Sequence, residues 1–384
     1  MVKSYTPDTL SMIRSLIELP SVSSTKAGLD MSNRPVIDWL ANLLEEESFS
    51  VRIQPVPGEP GKANLIATLG RGADGLVLAG HTDTVPYDDG HWSSDPFTLR
   101  EDDNRLYGLG TSDMKSFFAL AIEAARGLEP AKMKHPLIIL ATADEETSMS
   151  GAKALLKEGT RLGRYAVIGE PTGMRPIRQH KGIMMEAIKL QGLSGHSSNP
   201  AYGNNAMEGM HEIMQALIQY RAELQARYQN PAFEVPVPTL NLGHIHGGDN
   251  PNRICGSCEL HIDLRPLPGM DLAELRQDIH ARLQPIAAQR QLGIEFEPLF
   301  DGVPAMQTDA NAEIVRLTEE LTGHSSESVA FGTEGPYLSE MGMETIILGA
   351  GDIDQAHQPD EYLALERINP MINILRQLIH RVCL

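Results

Sequence analysis

Short apolar runs alternate with helical patterns along the first half of the chain. Apolar residues at helical spacing predict helices over residues 7–18, 35–47 and 115–128. Apolar runs that end in polar or turn residues predict strands over residues 63–69, 76–79, 137–141 and 165–168. Because strands this apolar are buried on both faces, the pattern favours a mostly parallel sheet flanked by helices. The expected fold class is therefore α/β.

A different order of elements occupies the middle of the chain. It predicts strand, helix, strand, strand, helix and strand over residues 183–190, 206–228, 239–246, 254–264, 272–288 and 293–297. This βαββαβ order is that of a small two-layer α+β domain. Helical and strand patterns like the first then return over residues 312–321, 345–348 and 370–382. We therefore expect a discontinuous domain of residues 1–180 and 300–384, interrupted by an inserted domain of residues 181–299.

Charge and composition narrow the classes of partner. The 384 residues include 51 acidic and 32 basic side chains, a formal net charge of −19. Phosphate backbones and anionic lipid surfaces repel such a polyanion, so we expect neither a nucleic acid nor a membrane as partner. No apolar run reaches the roughly 18 residues of a membrane span, and the first residues lack the apolar core of a signal peptide. Three cysteines are too few for a disulfide framework, which favours a cytoplasmic location.

Side chains of metal-ligand type follow the predicted strands at the point where each strand ends. His81, Glu146 and Glu170 come directly after apolar runs, and His357 follows a later run through a short loop. Asp113 stands just before a predicted helix. Because the carboxyl ends of parallel strands form the ligand crevice of open α/β sheets, we expect these side chains to converge. Two imidazoles and three carboxylates are too many for one tetrahedral zinc ion and fit two divalent ions that share a carboxylate.

Two further acidic residues fit supporting roles in such a site. Glu145 and Glu146 are adjacent and face differently, so that one can bind metal while the other stays free as a general base. His81 and Asp83 are two apart in an extended segment, which suits a ligand histidine held by a carboxylate. Taken singly, each residue also has an ordinary alternative, such as a solvated loop or a helix cap. Only their convergence indicates a metal site.

Four motifs resemble the M20 peptidase family of dinuclear-zinc amidohydrolases, and they occur in the order found in that family. They are Gly80-His-Thr-Asp-Thr-Val-Pro86, Gly108-Leu-Gly-Thr-Ser-Asp-Met-Lys115, Asp144-Glu-Glu146 and Gly169-Glu-Pro171. The resemblance extends from Ser21 to the last predicted helix. Longer stretches, over residues 88–97, 141–149, 240–249, 263–269 and 355–362, resemble deacetylases of this family that act on an N-acetylated diamino acid.

The resemblance implies a role for each residue of the metal site. Asp113 would bridge the two ions, with His81 and Glu170 completing one site and Glu146 and His357 the other. Zinc is the expected ion at both sites, with cobalt as the alternative.

Three residues are implied to act in the reaction itself. Glu145 would be the general base, and Asp83 would orient a ligand histidine. In the inserted domain, His196 would reach across a homodimer to the substrate carbonyl. The inserted domain would therefore serve as lid and dimerisation domain.

The resemblance also implies residues that bind the substrate. Asn252 and Arg265 would bind its carboxylate, and Gly332 and Thr333 would line the same pocket. Asn252 is followed by Arg253 where the family more commonly has valine, which leaves Arg253 as a second candidate for the carboxylate.

The implied function is metal-dependent hydrolysis of the amide of a small N-acyl amino acid. The alternatives are a desuccinylase, a broad N-acyl-amino-acid hydrolase or a dipeptidase of the same family, and a non-catalytic metal-binding relative. A free Glu145 beside a full ligand set argues against the last, because a protein that only binds metal gains nothing from it.

Overall fold

The computed structural model describes residues 7–26, 28–88 and 90–384. Asp89, which falls in one of the stretches that carry the resemblance, lies outside the described residues. The chain divides into two compact units. Unit 1 comprises Met1–Arg178, Thr308–Glu327 and Thr333–Leu384, and unit 2 comprises Gln179–Gln307 and Ser328–Gly332.

The helices and strands are numbered in chain order. The helices are α1 (Thr9–Ile17), α2 (Arg34–Glu46), α3 (Ser116–Ala125), α4 (Ser150–Glu158), α5 (Ala206–Arg227), α6 (Leu272–Gln289), α7 (Glu313–Thr322), α8 (Gly335–Glu340) and α9 (Leu365–Cys383). The strands are β1 (Ser50–Pro55), β2 (Ala63–Leu69), β3 (Leu76–His81), β4 (Arg100–Asp102), β5 (Arg105–Tyr107), β6 (Leu137–Thr142), β7 (Tyr165–Ile168), β8 (Ile177–His180), β9 (Met184–Gln191), β10 (Thr239–Gly247), β11 (Ser257–Arg265), β12 (Gly293–Pro298), β13 (Met306–Gln307), β14 (Glu327–Val329), β15 (Glu344–Ile347) and β16 (Tyr362–Ala364).

The main sheet of unit 1 has parallel strands at its centre. β6 and β7 each pair with β3 in parallel, and β15 pairs with β7 in parallel. β1 and β2 form an antiparallel pair, and β2 also runs antiparallel to β6. The predicted α/β class is confirmed, and the sheet is mixed. Burial on both faces makes β2 as apolar as its neighbours, and apolar composition alone does not distinguish the two strand directions.

Helices cover this sheet and bury its apolar strands. α3 is buried along nearly its whole length, because its sequence is apolar on all sides apart from Ser116 and Glu123. α1, α2 and α9 each present an apolar stripe, and their buried residues form one core with those of β2, β3, β6 and β7. Helices cover both faces of the parallel strands. Polar side chains can therefore gather at the edge formed by the carboxyl ends of these strands.

Unit 2 is built on an antiparallel sheet with the strand order β10-β11-β9-β12. Alternate residues of β11, from Cys258 to Leu264, are buried in a core shared with α5 and α6. The predicted order of strand, helix, strand, strand, helix and strand is confirmed for this unit. Within the described ranges, every helix of the chain is too short or too polar to cross a bilayer.

Candidate active site

The five candidate metal ligands come together in unit 1 at the carboxyl ends of the parallel strands. His81 is the last residue of β3, Glu146 lies in the loop after β6, and Glu170 follows β7. Asp113 comes from the loop before α3, and His357 comes from the loop between β15 and β16. The strands end at one edge of the sheet, and this brings residues that are far apart in sequence into contact.

The carboxylate of Asp113 lies between two imidazoles. Its Oδ1 is 3.1 Å from Nε2 of His81, and its Oδ2 is 3.5 Å from Nε2 of His357. Glu170 Oε1 lies 3.8 Å from the first imidazole, and Glu146 Oε2 lies 3.1 Å from the second. The side chain of His81 is 1% exposed, whereas that of His357 is 53% exposed. The five residues therefore form two groups that share one carboxylate.

The donor set fits divalent cations. Glu170 Oε1 is buried and has no hydrogen-bond partner among the described residues, so that it offers a lone pair towards the cluster. Burial raises the pKa of Glu170 well above its ordinary value, and the charges of Asp113 and Glu146 raise it further. Hydrogen bonds to Asp113 and Glu146 raise the pKa of His357 to about 10, which shows that the cluster stabilises positive charge. Carboxylate and imidazole ligands around two such positions suit two metal ions.

Glu145 lies beside this cluster in a different group of side chains from Glu146. Its carboxylate lies close to the ligand atoms of His81 and Glu170, whereas that of Glu146 lies close to the ligand atoms of His81 and Asp113. Burial raises the pKa of Glu145 well above its ordinary value, with a further contribution from Glu170. A carboxyl group with a raised pKa beside a reaction centre is suited to accept and return a proton.

Asp83 contacts both His81 and the loop that carries the two glutamates. Nδ1 of His81 lies 2.9 Å from the main-chain oxygen of Asp83 and 3.8 Å from its carboxylate. Since a carbonyl oxygen only accepts, Nδ1 carries a proton and Nε2 faces the carboxylates. The two carboxylate oxygens of Asp83 accept the main-chain N–H groups of Glu145 and Glu146, at 3.2 and 3.1 Å. The main chain of Asp83 thus orients the histidine, while its side chain holds the loop.

Three buried charged side chains near this centre were not singled out from the sequence. Lys115 donates to the main-chain oxygen of Leu19 at 2.7 Å, and burial lowers its pKa to about 7. Glu334 accepts from the hydroxyl of Thr142 at 2.7 Å, and burial raises its pKa to about 7. Glu361 accepts main-chain N–H groups of the loop that carries Asp113. Such contacts join segments distant in sequence and leave no local pattern, although Glu361 falls within a stretch that carries the resemblance.

Unit 2 brings His196 and Asn252 together. The loops that carry them run side by side: His196 forms an isolated β-bridge with Arg253, and the N–H of Ser197 donates to the main-chain oxygen of Asn252 at 3.0 Å. The imidazole of His196 is exposed, with its Nδ1 2.8 Å from the hydroxyl of Ser198. Both residues therefore lie on one pair of loops.

The guanidinium groups of Arg253 and Arg265, the two candidates to bind a carboxylate, differ in their contacts. Arg265 donates its Nε–H to both oxygens of Asp263, at 2.9 and 3.1 Å. In this part of the described chain its terminal amino groups make no further hydrogen bond, which leaves them for a ligand carboxylate. Arg253 instead forms an ion pair with Asp249. Arg265 is thus the better suited of the two to bind a carboxylate.

The last two candidates fall in different units. Gly332 belongs to unit 2, where it lies against Ile183. Thr333 belongs to unit 1, is fully buried, and accepts the N–H of Gly335 at 3.0 Å.

Residues 77–381 match peptidase family M20/M25/M40. The chain belongs to this family. The resemblance inferred from the sequence is confirmed, and this M20 enzyme is a metal-dependent amidohydrolase.

Two relatives resemble the M20 chain over its full length, and each is named acetylornithine deacetylase. That of Edwardsiella ictaluri (strain 93-146) is 50% identical over 377 residues, which cover 98% of each chain. That of Pectobacterium carotovorum subsp. carotovorum (strain PC1) is 47% identical over 382 residues, which cover 100% of each chain. Among solved structures, the aminopeptidase PepT from Bacillus cereus ATCC 10987 is similar with a TM-score of 0.77 and 18% identity, over 98% of this chain and 99% of that one. This last likeness shows the shared fold.

Proposed function

We propose that this protein hydrolyses the acetyl amide of N2-acetyl-L-ornithine to L-ornithine and acetate, a step of arginine biosynthesis. The observation that carries the proposal is the Asp113 carboxylate between His81 and His357, with Glu145 beside it. The two relatives named acetylornithine deacetylase, at 47% and 50% identity over essentially the whole chain, support this substrate.

Five residues would hold two divalent ions, in keeping with the dinuclear metal enzymes of the M20 family. Asp113 would be shared, with His81 and Glu170 at one ion and Glu146 and His357 at the other. Imidazole and carboxylate ligands suit zinc and also accept cobalt. We therefore propose zinc at both positions, with cobalt as a substitute.

The reaction steps assigned to the chain are proton transfer and orientation. When bound, two divalent ions supply water activation near neutral pH and polarisation of the scissile carbonyl. Glu145 takes the proton of the attacking water and returns it to the nitrogen of the leaving amine. Asp83 fixes the main chain at Glu145 through its carboxylate, so the base stays in place during both transfers.

Most of the residues that bind the substrate would come from unit 2. The guanidinium of Arg265, held at Nε by Asp263, would bind the α-carboxylate of the substrate with its two terminal nitrogens. Asn252 would add a hydrogen bond to that carboxylate, and Gly332 and Thr333 would line the pocket. His196 would donate to the oxyanion that develops at the amide carbonyl, a contribution whose loss typically costs about 10²–10³-fold in rate.

We also propose that the protein is a homodimer in which unit 2 makes the contact between protomers. β10 is an edge strand of its sheet, and its residue Ile245 is half exposed. Met207 and Ile218 on α5 are also exposed apolar residues. Edge strands and exposed apolar side chains are features that an interface covers. In this assembly His196 and Asn252 would serve the partner's site.

A cytoplasmic location is part of the same proposal. Cys255, Cys258 and Cys383 are all free thiols and all buried. Free thiols are typical of proteins that work in a reducing compartment.

The test is acetate release from N-acetyl-L-ornithine by protein loaded with zinc or cobalt. N-succinyl-diaminopimelate and N-acetylmethionine serve as parallel substrates with the same loaded protein. We expect a strong preference for N-acetyl-L-ornithine. Preference for the succinyl compound would replace the proposed substrate and keep the amidase, and no hydrolysis of any of the three with two ions bound would indicate a non-catalytic metal-binding protein.

A further inference from the structure

A buried carboxylate outside the ligand set binds the loop that carries Asp113. Glu361 is 1% exposed, and its Oε1 accepts the main-chain N–H groups of Ser112 at 2.7 Å and Asp113 at 2.9 Å. The N–H of Gly110 donates to both of its oxygens, at 3.1 and 3.0 Å. The main-chain oxygen of Glu361 in turn accepts the N–H of Gly108 at 3.0 Å. One residue thus forms hydrogen bonds along the whole loop.

The conformation of this loop directs several N–H groups to one point. Gly110 has a φ of +89°, and a Cβ at this position would lie 2.8 Å from the side chain of Lys115. Main-chain N–H groups gathered in this way form a concave site for an anion. Charge-assisted hydrogen bonds of this kind are roughly twice as strong as those between neutral groups. Burial raises the pKa of Glu361 to about 8, and these N–H groups act against burial because they favour the ionised carboxylate. The ionised form therefore holds the loop more firmly than a neutral acceptor would.

Glu361 also belongs to the segment that carries the second imidazole. It lies four residues after His357 and directly before β16. The side chain of His357 is 53% exposed, so packing constrains it less than the buried His81. The position of His357 therefore depends on how its loop is anchored, and Glu361 is an anchor of that loop.

We propose that Glu361 is a positioning residue that sets the shared ligand Asp113 and the exposed ligand His357 relative to each other. Its carboxylate fixes the main chain at Asp113, and its own main chain fixes the loop of His357. The inference rests on the metal centre proposed above and does not depend on the identity of the substrate. The ion between Asp113, Glu146 and His357 is the one whose binding Glu361 controls most.

A purely structural role predicts a different result. Within the described residues, the hydrogen-bond donors to the Glu361 carboxylate are main-chain N–H groups. The ammonium group of Lys115 donates instead to Leu19 and Ser21. If these bonds only stabilised the fold, replacing Glu361 would lower the melting temperature without changing the ligand geometry. If they position the ligands, the metal affinity and the ligand field change as well.

The experiment compares Glu361→Gln and Glu361→Ala with the natural protein by titration with Co²⁺. Bound cobalt is counted by elemental analysis, and its visible absorption reports ligand geometry. Glutamine keeps one acceptor oxygen for Ser112 and Asp113 but loses the charge, and alanine loses every side-chain bond while the main-chain bond from Gly108 remains. We expect one of the two ions to bind about 10–100-fold more weakly in the alanine variant, with an altered cobalt spectrum, and a smaller change of the same kind in the glutamine variant.

Tyr165→Phe is the matched control. It removes the hydrogen bond from the Tyr165 hydroxyl to Glu313, at the opposite end of β7 from Glu170. It should lower the melting temperature slightly and leave both cobalt affinities and the spectrum unchanged.

The outcomes separate this inference from the proposed function. Cobalt binding and absorption like those of the natural protein in Glu361→Gln would overturn the positioning role, and this variant decides the matter even where the alanine variant fails to fold. Natural protein that binds two ions without releasing acetate would overturn the proposed function and leave the positioning role intact.

Discussion

Asp83 shows how one side chain can give two adjacent glutamates separate tasks. Its two oxygens accept the N–H groups of Glu145 and Glu146, so that the main chain is fixed at both residues. Their carboxylates then join different groups of side chains, one beside His81 and Glu170 and the other beside Asp113. The main chain therefore sets the division between the proposed base, Glu145, and the proposed ligand, Glu146.

Replacing Glu145 with glutamine should abolish turnover without releasing metal. The amide keeps the size of the side chain but cannot accept the proton of the attacking water, a loss that is typically about 10²–10⁴-fold in rate. Steady-state kinetics and metal analysis of the purified variant test this. Glu146→Gln is the matched control at the neighbouring position and should lose metal. Metal loss from Glu145→Gln would instead assign Glu145 as a ligand.

Asp83→Asn should lower kcat while metal stays bound. Asparagine has one acceptor oxygen, so it can satisfy only one of the two N–H groups of Glu145 and Glu146, whereas the main-chain contact with His81 remains. We expect a loss of about 10–100-fold in kcat, which is typical for residues that orient a metal site. Kinetics combined with metal analysis measure both effects. An unchanged kcat would show that the loop holds its position without Asp83.

At the scale of elements, the site depends on close packing between β7 and α3. Gly169 follows β7 directly before Glu170, and a Cβ added there would lie 2.1 Å from the ring of Phe117 in α3. The ring is buried in the core of unit 1 and cannot move away without disturbing other contacts. A glycine is therefore required for Glu170 to reach the cluster.

Gly169→Ala should lower both stability and metal affinity. Overpacking of a core typically costs about 1–3 kcal/mol, and here the shift also displaces the ligand Glu170. Thermal unfolding and metal titration measure the two effects. Gly28→Ala is the control, because no atom of the described residues lies within 4 Å of the added methyl group. Unchanged metal affinity in Gly169→Ala would show that Glu170 tolerates the shift.

The elements that could be predicted from the sequence are those defined by local periodicity. Examples are the apolar strands β3, β6 and β7 and the order of helices and strands in unit 2, because burial imposes a hydrophobic pattern on each segment separately. The antiparallel direction of β2 and the contacts of Glu361 could not be predicted, because partners distant in sequence determine them. The candidate ligands could be proposed because strand ends gather side chains at one edge, and their roles remain proposals.

On the scale of the whole molecule, the proposed homodimer leads to a prediction that a single protomer would not. His196→Ala and Glu145→Ala proteins should each be nearly inactive. If His196 serves the partner's site, mixed dimers of the two variants contain one site with both residues intact, and some activity returns. Acetate release after the variants are unfolded and refolded together measures this. Absence of recovery in verified heterodimers would place His196 at the site of its own chain.

Removal of metal should make the stability of the molecule depend on pH. In the folded chain the pKa of Glu145 and Glu170 is raised well above the ordinary value, and that of His357 is raised to about 10. Groups with a raised folded pKa add stability at low pH that is lost as the pH rises. The melting temperature of chelator-treated protein should therefore fall as the pH rises from about 5 towards about 10, beyond any change in the loaded protein. A flat profile without metal would contradict this.

The unequal exposure of the two imidazoles has a consequence for how the centre exchanges its ions with the surroundings. His81 is closed off from water, whereas about half of the His357 side chain faces it. A ligand that water can reach dissociates and rebinds more readily than one enclosed by protein. In the proposed metal centre, the ion held by His357 and Glu146 would therefore enter last and leave first. A shortage of metal would then empty this position first and leave a form of the protein that holds a single ion beside His81 and Glu170.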